Sequence, residues 1–161
     1  MRKRIRKIII ISLIAVLLLD AIIVAISSYI TSRDKEWGLH VSATNVSSTG
    51  LTLTLERKDS ENTNHLTTGD DYWVYKKTIL GWKALKTIDD TGITFLSIGY
   101  PMDNGDSKTW DIKWDLYFGK LAPGIYRISK GCSADSSGYS EEEIKEQNLE
   151  PKLYATFLVL F

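Results

Sequence analysis

Few side chains in this 161-residue sequence have the types and spacing that catalysis or metal binding requires. Neither His40 nor His65 has a nearby cysteine or a spaced carboxylate that would make a metal cluster, and we expect both to be solvated. Asp103, Asn104 and Asp106 could offer oxygen ligands to calcium, but the distal glutamate of an EF-hand loop is absent. Because Asn-Gly strongly favours a two-residue hairpin, this segment predicts a turn.

The sequence also lacks a Gly-X-Ser-X-Gly elbow, a P-loop and a His-Glu-X-X-His pair. The one cysteine, Cys132, cannot form an intramolecular disulfide or a Cys-X-X-Cys site. It either pairs between chains or is a small buried side chain. We therefore predict no catalytic residue, no metal site and no cofactor, and a protein that is not an enzyme.

Exposed aromatic side chains are the remaining candidates for ligand contact. Trp73, Tyr75 and Trp82 lie on predicted strands that carry aromatics on the side that the core does not need. Such rings could form a platform for a glycan or a cell-wall polymer. The other interpretation is that both faces of a central strand are packed, or that the aromatic side rests against a loop.

The charges of the chain are unevenly distributed. Five of its 20 basic residues lie in the basic tail, residues 1–7, which leaves 15 basic residues against 20 acidic ones beyond it. A mildly acidic body lacks the clustered basic face that nucleic-acid binding needs. We therefore expect no nucleic-acid partner.

The apolar run at residues 8–30 predicts one N-terminal transmembrane helix. Roughly 20 apolar residues rising ~1.5 Å each match a hydrocarbon core of ~30 Å. Asp20, near the middle of the run, costs roughly 2.5–3.5 kcal/mol, which the surrounding Ile, Leu and Val residues offset. The basic tail should stay inside, which places a linker at residues 31–36 and the body at residues 37–161 outside the cell membrane.

Two alternatives remain open for this segment. Small residues at Ala25 and Ser27 are compatible with a cleaved signal peptide and a secreted product, although the apolar region is long for that role. Asp20 is either an intramembrane acid that contacts a partner or a protonated side chain tolerated within a single span.

The body shows period-two alternation interrupted by turn signals, which predicts about seven or eight short strands and no βαβ units. We expect a polar loop at 57–71 and a short acidic helix or loop at 140–152, capped by Ser140. The strands are expected within residues 38–46, 51–57, 72–79, 82–88, 93–100, 108–118, 124–130 and 153–161.

The clearest alternation places Trp110, Ile112, Trp114 and Leu116 on one face of a strand, with both tryptophans as core candidates. Short strands of this kind, in a chain long enough for one core, indicate an antiparallel β-sandwich. A Pro-Gly corner then precedes Tyr126, which has the position of a structural tyrosine corner, where a hydroxyl binds nearby backbone in Ig-like sandwiches.

These segments resemble the bacterial immunoglobulin-like domains of membrane-anchored and secreted Gram-positive proteins, over nearly all of residues 37–161. The resemblance implies an Ig-like sandwich and a surface location, with no general catalytic site to transfer. One departure is the extra Phe118 between Tyr117 and Gly119. The matching segments are STGLTLTL (48–55), TTGDDYWVYKK (67–77), GWKAL (81–85), WDLYFGKLAPGIYRISK (114–130) and YATFLVLF (154–161).

The sequence thus predicts a non-catalytic, membrane-anchored extracytoplasmic Ig-like module for protein interaction at the cell surface. Besides the lipid bilayer, its expected partner is another membrane or surface protein. The alternative is a module that binds glycan or cell-wall polymer through Trp73, Tyr75 and Trp82.

Overall fold

A computed structural model describes residues 33–88, 92–136, 138 and 140–160. The predicted anchor at residues 8–30, including Asp20, lies outside these ranges. Within them, no helix has the length and apolar character needed to cross a membrane.

The described residues form eleven strands and two short helices. The strands are β1 (Arg33–Asp34), β2 (Leu39–Thr44), β3 (Gly50–Arg57), β4 (Leu66–Thr68), β5 (Trp73–Thr78), β6 (Gly81–Ala84), β7 (Tyr100–Met102), β8 (Ser107–Lys113), β9 (Gly124–Gly131), β10 (Ser133–Ala134) and β11 (Lys152–Val159), and the helices are α1 (Asp115–Phe118) and α2 (Glu141–Glu146).

These strands pair into three antiparallel sheets. The order β1-β2-β3-β8 defines the threonine sheet, and β11-β9-β5-β6 defines the aromatic sheet; each name describes the side chains on the outer face. The third, the side sheet, has the order β10-β4-β7. The all-β prediction is confirmed, but the described residues contain more strands than the seven or eight expected.

Strand β3 shows how the sequence pattern determines these faces. Leu51, Leu53 and Leu55 are buried, while the alternate threonines face outward. Thr52 donates to Asp111 Oδ1 at 2.9 Å, and the hydroxyls of Thr54 and Thr109 lie 3.1 Å apart. The period of two therefore separates an apolar inner face from a hydrogen-bonded outer face. The predicted pairing of the 38–46 and 51–57 segments is confirmed by the β2–β3 register.

Three stacked aromatic rings lie in the core: Trp114 directly follows β8, Tyr126 lies on β9 and Phe157 lies on β11. The ring of Phe157 stacks on Trp114 at a centroid distance of 5.6 Å and on Tyr126 at 5.9 Å. All three side chains are buried, and the Trp114 indole donates to Ser48 O at 3.0 Å. Trp114 is thus the core residue that the sequence predicts. Trp110 is only half-buried, and its indole donates to Asp70 Oδ1 at 2.9 Å.

The predicted tyrosine corner has the geometry that its role requires. The Tyr126 hydroxyl donates to Ala122 O at 2.7 Å, four residues upstream. This bond fixes the Pro-Gly corner against the first residues of β9.

Three other predictions are wrong. The 93–100 segment forms no strand before Tyr100; Phe95 packs edge-on against Tyr72 at 5.2 Å, while Leu96 and Ile98 are exposed. The predicted loop at 57–71 contains β4, which pairs with β7 and β10.

The third error concerns the end of the long alternation. β8 ends at Lys113, and the chain turns into α1, so Leu116 is 82% exposed instead of sharing the core face with Ile112. Gly119, with a φ of +67°, ends this helical turn in a conformation that favours glycine.

The structure also bears on the predicted linker and on the predicted acidic segment. Arg33–Asp34, within the predicted linker 31–36, already pairs with β2. The acidic segment forms α2, in which Ser140 and Glu143 make a reciprocal capping box, as the sequence predicts.

Candidate functional site

The outer face of the aromatic sheet brings together side chains from all four of its strands. Trp73 and Tyr154 both lie opposite Ser129, and Tyr75 lies opposite Arg127. Because side chains alternate along a strand, these five residues point to the same side of the sheet. Trp82 joins them from β6. We call Trp73, Tyr75, Trp82, Arg127, Ser129 and Tyr154 the aromatic face.

Arg127 is the centre of this face. Its guanidinium carbon lies 5.0 Å from the ring centroid of Tyr75, 4.7 Å from that of Trp82 and 4.1 Å from that of Tyr154. These are cation–π distances, and the flat guanidinium stacks on aromatic rings more readily than an ammonium does. Tyr75 and Tyr154 also meet edge-on, with centroids 6.2 Å apart. The rings therefore hold the cation in one place on the sheet.

Two polar atoms of the aromatic face are buried without a hydrogen-bond partner among the described residues: Arg127 Nε and Ser129 Oγ. Ser129 is 1% exposed and lies between Trp73 and Tyr154 in the register. Buried polar atoms are usually hydrogen-bonded, so each unpaired one calls for an explanation. Here both occur two residues apart on one strand.

The three aromatic residues predicted to contact a ligand occupy different positions on this face. Trp73 is 46% exposed, whereas Tyr75 and Trp82 are half-buried against Arg127. A second cation, Lys77 Nζ, lies 5.3 Å from the Trp82 centroid. The structure thus brings the three together, and their contact with a ligand stays a prediction.

Sequence reasoning missed Arg127 and Tyr154. Both were placed on predicted strands, but only as parts of a corner motif and of a terminal strand. The alternation of side chains along each strand could have indicated that both residues face outward. Arg127 lies between the core residues Tyr126 and Ile128, and Tyr154 lies between Leu153 and Ala155. Outward-facing aromatic and basic residues were therefore recognisable, but their juxtaposition was not.

The histidines and the Asp103–Asp106 segment form local polar contacts. His65 Nδ1 lies 2.8 Å from Asp103 Oδ1, and His40 Nδ1 lies 3.9 Å from Glu56 Oε2. The sequence alone did not predict that Asp103 and Glu56 lie beside these histidines, because each comes from another strand or loop. Asp103 and Asp106 close the predicted turn, with Asp103 N donating to Asp106 Oδ2 at 2.8 Å. Among the described residues, no three His, Cys, Asp or Glu side chains are grouped to hold a metal ion.

Lys130 is buried near the end of β9, and Cys132 is buried just beyond that strand. Burial raises the pKa of the Cys132 thiol to about 11, and its side chain is 5% exposed. Burial also lowers the pKa of Lys130, whose ammonium donates to Gly69 O and Asp71 O and lies 4.3 Å from the Trp110 centroid. Of the two interpretations of Cys132, the structure favours the small buried side chain.

The geometry described so far defines a class: an antiparallel β-sandwich with a tyrosine corner and an aromatic outer face. A family profile described as a bacterial Ig-like domain matches residues 34–150. The chain belongs to this bacterial Ig-like domain family, which confirms the resemblance seen in its motifs. No curated protein matches the chain.

Proposed function

We propose that this protein is a non-catalytic, membrane-anchored extracytoplasmic module that contacts a protein partner at the cell surface through its aromatic face. The family to which it belongs is typically non-catalytic. The observation that carries the proposal is the cluster of Tyr75, Trp82 and Tyr154 around Arg127, with Trp73 exposed beside it.

The composition of this face favours a protein partner. Tyr, Trp and Arg are the residues most enriched at the energetic centres of protein interfaces, because each combines a large contact area with a polar group. Rings held by a central cation also lose little conformational freedom on binding, which lowers the entropic cost of association. A rigid face of this kind suits recognition of a partner better than it suits chemistry.

The β5–β6 turn and the start of the domain lie at opposite ends of the aromatic sheet. The Trp37 indole donates to Asn148 O at 2.9 Å, which ties the start of the domain to the segment that leads into β11. β11 begins opposite the end of β9, and Trp73, at the start of β5, lies near that same end. The β5–β6 turn therefore lies at the opposite end of the sheet, about 20 Å away at ~3.3 Å per strand residue.

The alternative function, binding of glycan or cell-wall polymer, is favoured by one observation. Trp73 is 46% exposed and could stack on a sugar ring. Against this, Arg127 already lies over Tyr75 and Trp82, so these two rings offer less free surface than a multi-ring sugar platform would need.

Affinity purification of the tagged full chain from its own membranes tests the proposal. Trp73→Ser should remove a stoichiometric protein partner that the unchanged chain recovers. Leu96→Ser is the matched control, because Leu96 is also an exposed apolar side chain, at 69%, but lies outside the aromatic sheet. Equal recovery by both variants would contradict the proposal. Recovery of wall fragments alone, lost on Trp73→Ser, would favour the glycan alternative.

A further inference from the structure

The geometry points to a more specific partner: we propose that Arg127 receives a carboxylate from an acidic protein surface that docks on the aromatic face. This inference rests on the proposed function, because it names the chemistry of the partner at that same face. Three observations carry it: the charge of the sheet, the free donors of Arg127, and the rings that surround this cation.

The aromatic sheet carries charge of one sign only. Its four strands contain no Asp or Glu, whereas they contain Lys76, Lys77, Lys83, Arg127, Lys130 and Lys152. This contrasts with the body as a whole, where beyond residue 7 acidic residues outnumber basic ones. By the register, Lys77, Arg127 and Lys152 lie on the outer face of this sheet, whereas Lys76, Lys83 and Lys130 lie on the opposite face. The outer face therefore carries three cations and no acidic side chain from its own strands, which gives it a positive potential toward a partner.

Arg127 has donors that the described part of the chain does not use. Its Nε is buried and has no hydrogen-bond partner among the described residues, and neither the His40–Glu56 nor the His65–Asp103 ion pair includes Arg127. A guanidinium offers five donors in a planar fork that fits a carboxylate in a bidentate manner. Ser129 Oγ, also unpaired and two residues along the same strand, provides a further polar atom on this face.

The surroundings of the cation favour a polypeptide carboxylate over a polyanion. A nucleic acid, polyphosphate or anionic membrane is bound through many cations in a row or patch. On this face Arg127 stands among three rings, and Lys77 is itself placed over Trp82. A single oriented guanidinium surrounded by aromatic rings is complementary to a single acidic side chain surrounded by apolar side chains, as in a protein interface.

The test uses the full chain in nanodiscs of uncharged phosphatidylcholine, with a capped peptide that carries one glutamate among leucines as the probe. The readout is the Nε–Hε resonance of Arg127 in nitrogen-15 spectra, assigned by its disappearance in Arg127→Lys. We expect a saturable shift of this resonance. Arg127→Gln and Arg127→Lys should each weaken binding of the probe about ten-fold, as loss of a charge-assisted hydrogen bond implies.

The matched control is Lys113→Gln, which removes one exposed strand cation from the outer face of the threonine sheet. It should leave the affinity for the probe unchanged. Equal weakening by Lys113→Gln and Arg127→Gln would show binding by net charge alone and overturn the inference. A saturable Arg127 shift with polyphosphate but none with the glutamate peptide would also overturn it.

Failure here and failure of the proposed function are distinguishable. If the partner is still recovered from membranes by Arg127→Gln but lost by Trp73→Ser, the aromatic face binds a protein without an Arg127 carboxylate contact. If neither change affects recovery, the proposed function itself is wrong.

Discussion

The guanidinium carbon of Arg127 lies 4.1 Å from the ring centroid of Tyr154, although the two residues belong to neighbouring strands and are not directly opposite in the register. Tyr154 pairs with Ser129, so its ring reaches diagonally across the sheet to the cation. Diagonal contacts of this length are within reach of aromatic side chains. Arg127 makes similar contacts with Tyr75 and Trp82, and together these contacts make it part of a fixed surface.

Removing the cation should lower stability moderately. Arg127 is half-buried and contacts three rings, and cation–π contacts at partly exposed sites contribute about 0.5–1 kcal/mol each. We expect Arg127→Gln to lower the free energy of unfolding by about 1–3 kcal/mol, as measured by urea denaturation. A variant that fails to fold would show that Arg127 is needed for the sheet itself, and binding losses would then lose their meaning.

Removing the Tyr126 hydroxyl should weaken the fold at the corner. Tyr126→Phe deletes the bond to Ala122 O while leaving the ring stacked on Phe157. We expect the free energy of unfolding to fall by about 1 kcal/mol, the usual net contribution of a hydrogen bond. Tyr75→Phe is the control, because no hydrogen bond of the Tyr75 hydroxyl is found within the described ranges. Equal losses would argue against a special role for the corner.

Stability should fall at alkaline pH because of Cys132. Burial raises the pKa of its thiol from 9.0 to about 11 in the folded protein, so the folded state keeps a proton that the unfolded chain loses. The thiol's contribution is complete below pH 9.0 and is lost as the pH rises through the folded value of about 11.

The measurement is the difference in unfolding free energy between the unchanged chain and Cys132→Ala across this range. Tyr72, whose pKa burial raises to about 12, is present in both proteins and therefore cancels. We expect this difference to be constant below pH 9.0. Above that pH, the unchanged chain should lose on the order of 2 kcal/mol of unfolding free energy relative to Cys132→Ala. A difference that stays flat up to pH 11 would mean that the thiol reaches solvent.

The tip of the β5–β6 turn should matter for binding but not for stability. Ile79 and Leu80 are 102% and 95% exposed, next to the strand that carries Trp82. Replacing both with Ser should shift the free energy of unfolding by no more than about 0.5 kcal/mol, as is usual for surface substitutions. If the partner covers this tip, its recovery from membranes should fall. Unchanged recovery would confine the contact surface to the aromatic face.

Much of the fold could be predicted because the alternation of residues is local. The β2–β3 pair, β9, β11 and the capped helix α2 all follow from patterns within a few residues. Strands β4 and β7 could not, since Leu66 pairs with Met102 across 36 positions and both strands are three residues long. Leu116 was misplaced because a helical turn follows directly on a perfect alternation.

The candidate site was only partly predictable for the same physical reason. The pattern identified Trp73, Tyr75 and Trp82 as aromatics that the core does not require. It could not identify the cation between the rings, because the position of Arg127 opposite Tyr75 depends on how two distant strands align. Register is set by the whole sheet and is not encoded in either strand alone.

The most direct test of the central claim is site-specific photocrosslinking in intact membranes. A benzoyl-phenylalanine is placed at position 73 on the aromatic face, or at position 109, where Thr109 lies exposed on the outer face of the threonine sheet. The proposal predicts a crosslink from position 73 to one protein, absent from position 109 and lost when Arg127→Gln is added. Equal crosslinking from both positions, or crosslinking of position 73 only to wall polymer, would contradict it.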